Sequence, residues 1–358
     1  MLKPREAVRS LKSYHPPLGN RRGLRLDFNE NTVGCSPRVM LRLRELDAEQ
    51  LARYPEREPL EAVVASHLGV RPEELLLTNG TDEAIHLVCE TYLDPGDEAV
   101  IVVPTFSMYE IYAAATGAKV IAVPAGEDFC FPLEDVLAHI NERTRLIAIA
   151  NPNNPTGTLA PAAGVLKIAA AAPNAALLID EAYFEFCGET LIPEFRRFPN
   201  LFVSRTFSKA YGLAGLRIGV LTGYADEMHV VRPVSSPYNV NSIALACLPD
   251  ALADQEYVRK YVDEVCKGRA LLERELEEWG VRYWPSRANF VLMYFGSQSS
   301  TFISEMRQRG ILVRDRSSDP GCAGCVRITL GSKAQTDQML IALREVFEEI
   351  GVRQKVRR

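Results

Sequence analysis

What most restricts the fold of this chain is a series of short, almost wholly apolar bursts separated by amphipathic segments through its first two thirds. The bursts fall at 75–77, 99–103, 119–123, 146–150, 176–179, 201–203 and 217–221. Between them, 82–93, 107–116, 133–140 and 161–172 carry apolar residues at helical spacing. A strand that is apolar on nearly every residue is buried on both faces, which calls for a mostly parallel sheet covered by helices on either side. The expected class is therefore α/β, with layers of helix packed on a central sheet.

From about residue 250 the pattern changes. A long charged amphipathic helix is predicted over 255–279, ending at Gly280 where a helix C-terminus favours glycine. Short strand signals follow at 289–294, 311–313 and 326–330, with helices at 301–309 and 333–350. This second region reads as a smaller α+β domain. The chain of 358 residues is long enough for about two domains. The expected organisation is an N-terminal arm over 1–40, rich in Pro, Gly and Asn, a large domain over 41–250 and a small domain over 251–358.

Composition narrows the function classes. With a formal net charge of −5, nothing points to a nucleic-acid partner. No apolar run approaches the roughly 18 residues of a membrane span, and Met1-Leu2-Lys3-Pro4-Arg5-Glu6 lacks the apolar stretch of a secretory signal. A cytoplasmic protein without a membrane partner is expected. Its eight cysteines are mostly scattered, and cytosolic thiols stay reduced. Cys322-Ala323-Gly324-Cys325 has zinc-ribbon spacing but no second pair to complete a tetrahedral site. A tight turn is the expectation there. The histidines form no ligand pair, so no metal is expected.

Four segments place polar residues beside the end of a buried strand, where open α/β sheets bind ligands. Thr78-Asn79-Gly80-Thr81-Asp82-Glu83 joins a strand to a helix, and its free N–H groups suit either a phosphate or an ordinary helix cap. Asn151-Pro152-Asn153-Asn154-Pro155-Thr156-Gly157 turns rigidly and presents an amide. Asp180-Glu181-Ala182-Tyr183 sets a carboxylate at the end of an apolar strand, either a solvated strand end or, if buried, a costly position that a cationic ligand explains better. In Thr206-Phe207-Ser208-Lys209-Ala210-Tyr211-Gly212-Leu213-Ala214-Gly215-Leu216-Arg217, a lysine among hydroxyl and small residues is placed to lose its proton and attack a carbonyl as a Schiff-base amine. Arg217 follows as a candidate phosphate ligand.

The segment from Thr206 to Gly215 resembles the lysine motif of class II aminotransferases, pyridoxal-phosphate enzymes of fold type I. The likeness spans nearly the whole chain. It takes in Tyr14-His15-Pro16-Pro17, Asn29-Glu30-Asn31, Arg53-Tyr54-Pro55, Pro104-Thr105-Phe106-Ser107-Met108-Tyr109, Asp180-Glu181-Ala182-Tyr183-Phe184-Glu185-Phe186 and Val326-Arg327-Ile328-Thr329. Within the class, the chain is most similar to the histidinol-phosphate aminotransferases.

The resemblance implies pyridoxal 5'-phosphate as cofactor and assigns roles residue by residue. Lys209 would bond covalently to the cofactor and act as general acid–base. Asp180 would pair with the pyridine nitrogen, Asn154 and Tyr183 would bond the phenolic oxygen, and Tyr109 would stack on the ring. Gly80, Thr81, Asp82, Thr206, Ser208 and Arg217 would hold the phosphate. Tyr54 would reach that phosphate from a neighbouring subunit, which implies a homodimer. Tyr14, Glu30, Asn154, Arg314 and Arg327 would bind substrate, with L-histidinol phosphate and 2-oxoglutarate (giving glutamate) as the implied pair. An aromatic amino acid aminotransferase or a threonine-phosphate decarboxylase of the same fold is the alternative. For Arg314, an intradomain salt bridge is an open alternative, and for Glu30 a helix cap or loop bridge. The chain departs from the family pattern at Asn31-Thr32 and Gly34-Cys35, where Asn-Pro and Gly-Pro are usual.

Overall fold

The computed structural model describes residues 2–9, 11, 19, 21–352 and 354. Its strands, numbered along the chain, form three sheets among the described residues. β1 (Leu24–Arg25) pairs in parallel with β11 (Ile311–Leu312). The central sheet comprises β2 (Leu75–Thr78), β3 (Glu98–Val103), β4 (Lys119–Pro124), β5 (Thr144–Ala150), β6 (Ala176–Asp180), β7 (Leu201–Thr206) and β8 (Gly219–Thr222). Its order is β2-β8-β7-β6-β5-β3-β4. Neighbours from β7 to β4 are parallel, and only β8 runs antiparallel to both strands it touches.

The period of two residues along a strand sorts side chains onto two faces. Ala99, Ile101, Leu146, Ala148, Leu178, Phe202 and Leu221 meet Ile85 and Val88 of helix Gly80–Tyr92, Ala113 of helix Met108–Thr116, and Met228 of helix Ala225–Val231. On the other face, Val100, Ile147, Ile149, Leu177, Ile179, Leu201 and Val203 meet Val136 of helix Leu133–Ala138 and Val165 and Ile168 of helix Ala162–Ala171. The α/β reading of the bursts holds. β4 differs from the expectation of burial on both faces: it is an edge strand and leaves Lys119, Ala122 and Pro124 exposed.

The C-terminal region carries a four-stranded antiparallel sheet, β12 (Arg314–Asp315), β13 (Cys325–Thr329), β10 (Phe290–Tyr294) and β9 (Arg282–Trp284), in that order. Helices Gln255–Trp279, Ser299–Gln308 and Lys333–Glu349 pack with it, burying Leu272, Leu276, Phe302, Met339, Leu343 and Phe347. The first of these stops at Gly280 with φ +66°, a conformation glycine adopts without a Cβ penalty.

The N-terminal stretch is less arm-like than its composition suggests. β1 joins it to β11, Leu26 is buried, and helix Pro37–Glu45 begins inside it with Val39 fully buried. Ser36 caps that helix by accepting from Arg38 N, and Pro37 occupies its first turn. The run of Pro and Gly conceals an ordinary helix start.

Cys322 and Cys325 do sit in a tight turn, with Cys325 N donating to Cys322 O at 2.8 Å. No helix among the described residues is long and apolar enough to cross a membrane.

Candidate active site

Because β2, β3, β5, β6 and β7 run the same way, their C-terminal ends share one edge of the sheet. The reversed β8 starts at that edge. Thr78 and Thr206 each pair with Gly219, and Asp180 lies between Ala150 and Ser204. The four polar segments therefore converge there, around a cavity of about 250 Å³. Thr81, Asp82, Tyr109, Asn154, Asp180, Tyr183, Thr206, Ser208, Lys209 and Arg217 all line it, and Glu30 approaches from the N-terminal stretch.

One end of the cavity is built for an anion. Gly80, Thr81 and Asp82 open helix Gly80–Tyr92, and the N-cap residue Asn79 makes no side-chain cap bond. The first N–H groups of a helix lack intrahelical partners and carry the positive end of its dipole. Thr81 Oγ1 is buried without a hydrogen-bond partner. Arg217 donates to Asp82 Oδ2 at 2.8 Å. At Gly80, with φ +74°, a Cβ would lie 2.6 Å from the Arg217 guanidinium, so only glycine permits this approach. Across from them, Ser208 N donates to Thr206 Oγ1 at 3.1 Å and the two hydroxyls lie 3.0 Å apart. Hydroxyls, backbone donors and a guanidinium thus face one point, a donor set that fits a phosphate.

The far wall holds a carboxylate. Asp180, 6% exposed, accepts from the Tyr109 hydroxyl at 2.6 Å and from Ala182 N at 3.1 Å. Burial pushes its pKa from 3.8 to about 6, against the lowering effect of those hydrogen bonds. Such a group gains from a cationic partner. Tyr109 lines the same cavity with Phe106 edge-on to it at 5.9 Å, so its ring borders the space while its hydroxyl fixes Asp180.

Lys209 lines the same cavity, its Nζ donating to Phe28 O at 3.2 Å and lying 5.9 Å from the Tyr183 ring centroid. Burial, aided by the nearby Arg327 charge, depresses its pKa to about 8. Near neutral pH a useful fraction is the free amine, the nucleophilic form. The Tyr183 hydroxyl accepts from Asn29 Nδ2 at 2.8 Å. A phosphate-sized donor set, a buried carboxylate and a depressed lysine amine together fit pyridoxal phosphate.

Of the described substrate candidates, Glu30 and Asn154 line this cavity, whereas Arg314 and Arg327 do not and only touch residues that do. Arg314 and Arg327 are direct cross-strand partners in β12 and β13. Arg327 is buried, donates to Asn154 Oδ1 and to Asp27 O, the latter at 2.7 Å, and lies over the Phe290 ring. Arg314 lies over Phe28 at 5.0 Å. Glu30 is an ion-pair partner of Arg21 at 2.9 Å; burial pushes its pKa up, but Arg21 outweighs this and keeps it below the ordinary value. Tyr54 is 77% exposed, stacks on Tyr238 and stands outside the cavity of its own chain. Tyr14 lies outside the described residues.

Several site residues escape sequence reasoning. Asp27, Phe28 and Asn29 supply the carbonyl that holds Arg327, the carbonyl that holds Lys209 and the amide that holds Tyr183. Asn29 also sits at φ +55°, which asparagine tolerates better than most residues. The available signal was the density of Asn and acidic residues over 27–31.

The model of the aminotransferase class I and II family matches residues 21–343. A histidinol-phosphate aminotransferase of Geobacillus sp. (strain WCH70) is 37% identical, over 97% of this chain and 96% of its own. One from Moorella thermoacetica is 35% identical, over 96% and 93%. Among solved structures, histidinol-phosphate aminotransferase from Sinorhizobium meliloti in complex with pyridoxal-5'-phosphate superposes with a TM-score of 0.88 at 27% identity, covering 98% of this chain and 99% of that one.

Proposed function

The chain belongs to the class I and II aminotransferases, and on that premise we propose that it transfers the amino group of L-histidinol phosphate to 2-oxoglutarate as a cytoplasmic homodimer. It is a pyridoxal phosphate-dependent enzyme, and the cofactor supplies the electron sink for the electrons released at the amine-bearing carbon. Gly80, Thr81, Asp82, Thr206, Ser208 and Arg217 bind its phosphate. Asp180 holds the proton on its ring nitrogen, with the Tyr109 hydroxyl orienting the carboxylate and the Tyr109 ring closing one face. Asn154 and Tyr183 bond its phenolic oxygen. Lys209 Nζ would hold the cofactor in the resting enzyme, take the proton from the substrate Cα and, as general acid, return it to the carbon on the other side of the substrate nitrogen. The exposed Tyr54 completes the phosphate site of the neighbouring subunit.

The observation that carries the substrate choice is the register of Arg314 with Arg327. Directly opposed residues on antiparallel strands project from the same face. Arg327 touches Asn154 and Arg314 covers Phe28, and both of those residues line the cavity. Two guanidiniums there match a dianionic phosphate in one half-reaction and the carboxylates of 2-oxoglutarate in the other. Glu30 accepts from the imidazole N–H, and Tyr14 closes from the N-terminal stretch.

Single-turnover mixing of the pyridoxal form with L-histidinol phosphate, L-phenylalanine or threonine phosphate tests this, read by the cofactor absorbance and by carbon dioxide release. L-histidinol phosphate is expected to react fastest without releasing carbon dioxide. Faster reaction with phenylalanine, or decarboxylation of threonine phosphate, would overturn the assignment. A solution mass of one chain would overturn the homodimer.

A further inference from the structure

The pair Cys322 and Cys325 has no part in the chemistry above. Both side chains are buried, at 0% and 1% exposure, in a small apolar cluster with Trp284 and Leu292, and neither is in a disulfide. They end a turn closed by the 2.8 Å bond from Cys325 N to Cys322 O, with Gly324 at φ +74°. That is the geometry of a type II turn, whose ends lie within about 7 Å, in the range of roughly 4.4–6.8 Å that a disulfide spans.

The turn is already immobilised. Gly324 O accepts from Phe295 N at 2.9 Å, and a Cβ on Gly324 would come 2.5 Å from Gly296 Cα. Cys325 O accepts from Arg316 N at 3.0 Å, and Cys325 pairs with Tyr294 across β10. The turn sets the two side chains in one cluster, where they act on each other. Cys325 also borders a cavity of about 480 Å³ with Arg282, Trp284, Tyr294 and Pro320. The neighbouring thiol and the Arg282 charge shift Cys325 toward its thiolate against the effect of burial, while the neighbour and burial push Cys322 the other way. A favoured thiolate beside a resolving thiol is the arrangement of reactive cysteine pairs.

We infer that Cys322 and Cys325 form a redox-active dithiol that a hydroperoxide closes to a disulfide and a dithiol reductant reopens. The Cys325 sulfur attacks the peroxide oxygen; an S–O bond forms as the O–O bond breaks, leaving a sulfenic acid and hydroxide. The Cys322 sulfur then displaces the hydroxyl group, an S–S bond forms, and the Cys322 proton leaves with that hydroxyl as water. The thiol pair loses two electrons and the peroxide gains them. This site does not depend on which substrate the enzyme prefers.

The test exposes the holoenzyme to hydrogen peroxide, then unfolds it with an alkylating reagent and maps the peptides by mass. The peptide holding residues 322–325 should lose two hydrogens, escape alkylation and regain both thiols after dithiothreitol. Exposed Cys130 reports that the oxidant acted. In Cys322→Ser, dimedone should trap Cys325 as its sulfenic acid. Full alkylation of both cysteines under conditions that oxidise Cys130, or no dimedone adduct in the variant, overturns the inference.

Discussion

Asp180→Asn is the perturbation that most directly separates folding from function at this site. Burial pushes the carboxyl pKa of the cofactor-free protein from 3.8 to about 6. At about 1.36 kcal/mol per pKa unit, carrying that charge without a cation costs about 3 kcal/mol once Asp180 is fully ionised. The sign follows from linkage: the folded state binds the proton more tightly, so stability falls as pH rises from 3.8 through about 6 and then levels off. Asparagine keeps the shape and has no charge to desolvate. It can accept from Ala182 N and donate to the Tyr109 hydroxyl, replacing both contacts of the aspartate. The cofactor-free variant should therefore resist urea better than the parent at pH 7.5, by up to about 3 kcal/mol, with about half that gain at pH 5. It should also release pyridoxal phosphate more readily, since the ring nitrogen loses its counter-ion. Urea midpoints of both proteins at the two pH values decide the matter. A variant less stable than the parent at both, or a gain that does not shrink at pH 5, would refute the account of Asp180 as a strained charge awaiting a cation.

Lys209→Ala should fold and bind the cofactor without the absorbance of the covalent form; in the parent, the rate of covalent reconstitution should rise with pH to a midpoint near 8, the depressed amine value, as read by stopped-flow absorbance. Thr81→Ala should leave the thermal midpoint of the cofactor-free protein within about 2 °C, because its hydroxyl bonds nothing in the protein, yet weaken cofactor binding by about five- to tenfold in equilibrium dialysis. Arg327→Gln removes a buried guanidinium held by Asn154 and Asp27 and should lower kcat/KM for L-histidinol phosphate by at least about tenfold, mainly through KM, in steady-state assays.

The sheet and the segments at its edge were legible because their signals are local. An apolar burst ending in Asp180, or a lysine between hydroxyls after another burst, puts strand, burial and polar residue in one short window. The contacts that complete the site are not local. Asn29 meets Tyr183 and Thr329, and Lys209 meets Phe28, across separations of 154 to 300 residues. No periodicity encodes such pairs. The hydroxyl of Tyr109 on Asp180 was equally out of reach, since sequence identifies an aromatic near the cavity but not the direction of its oxygen. Edge strand β4 escaped for a related reason: the apolar run over 119–123 does not say how many neighbours it has. Arg314 and Arg327 were named only through the family resemblance, and their direct opposition across two antiparallel strands is a contact that sequence alone did not give.

The strand at Leu24–Arg25 is short, but its position has a mechanical consequence. It is stitched to β11, and within five residues the same backbone offers Phe28 O to Lys209 and Asn29 to Tyr183, beside the edge of the central sheet. A shift of β11 against the central sheet must pull on the tether that positions the amine. Moving β11 and releasing Lys209 from the Phe28 carbonyl would then be a single event.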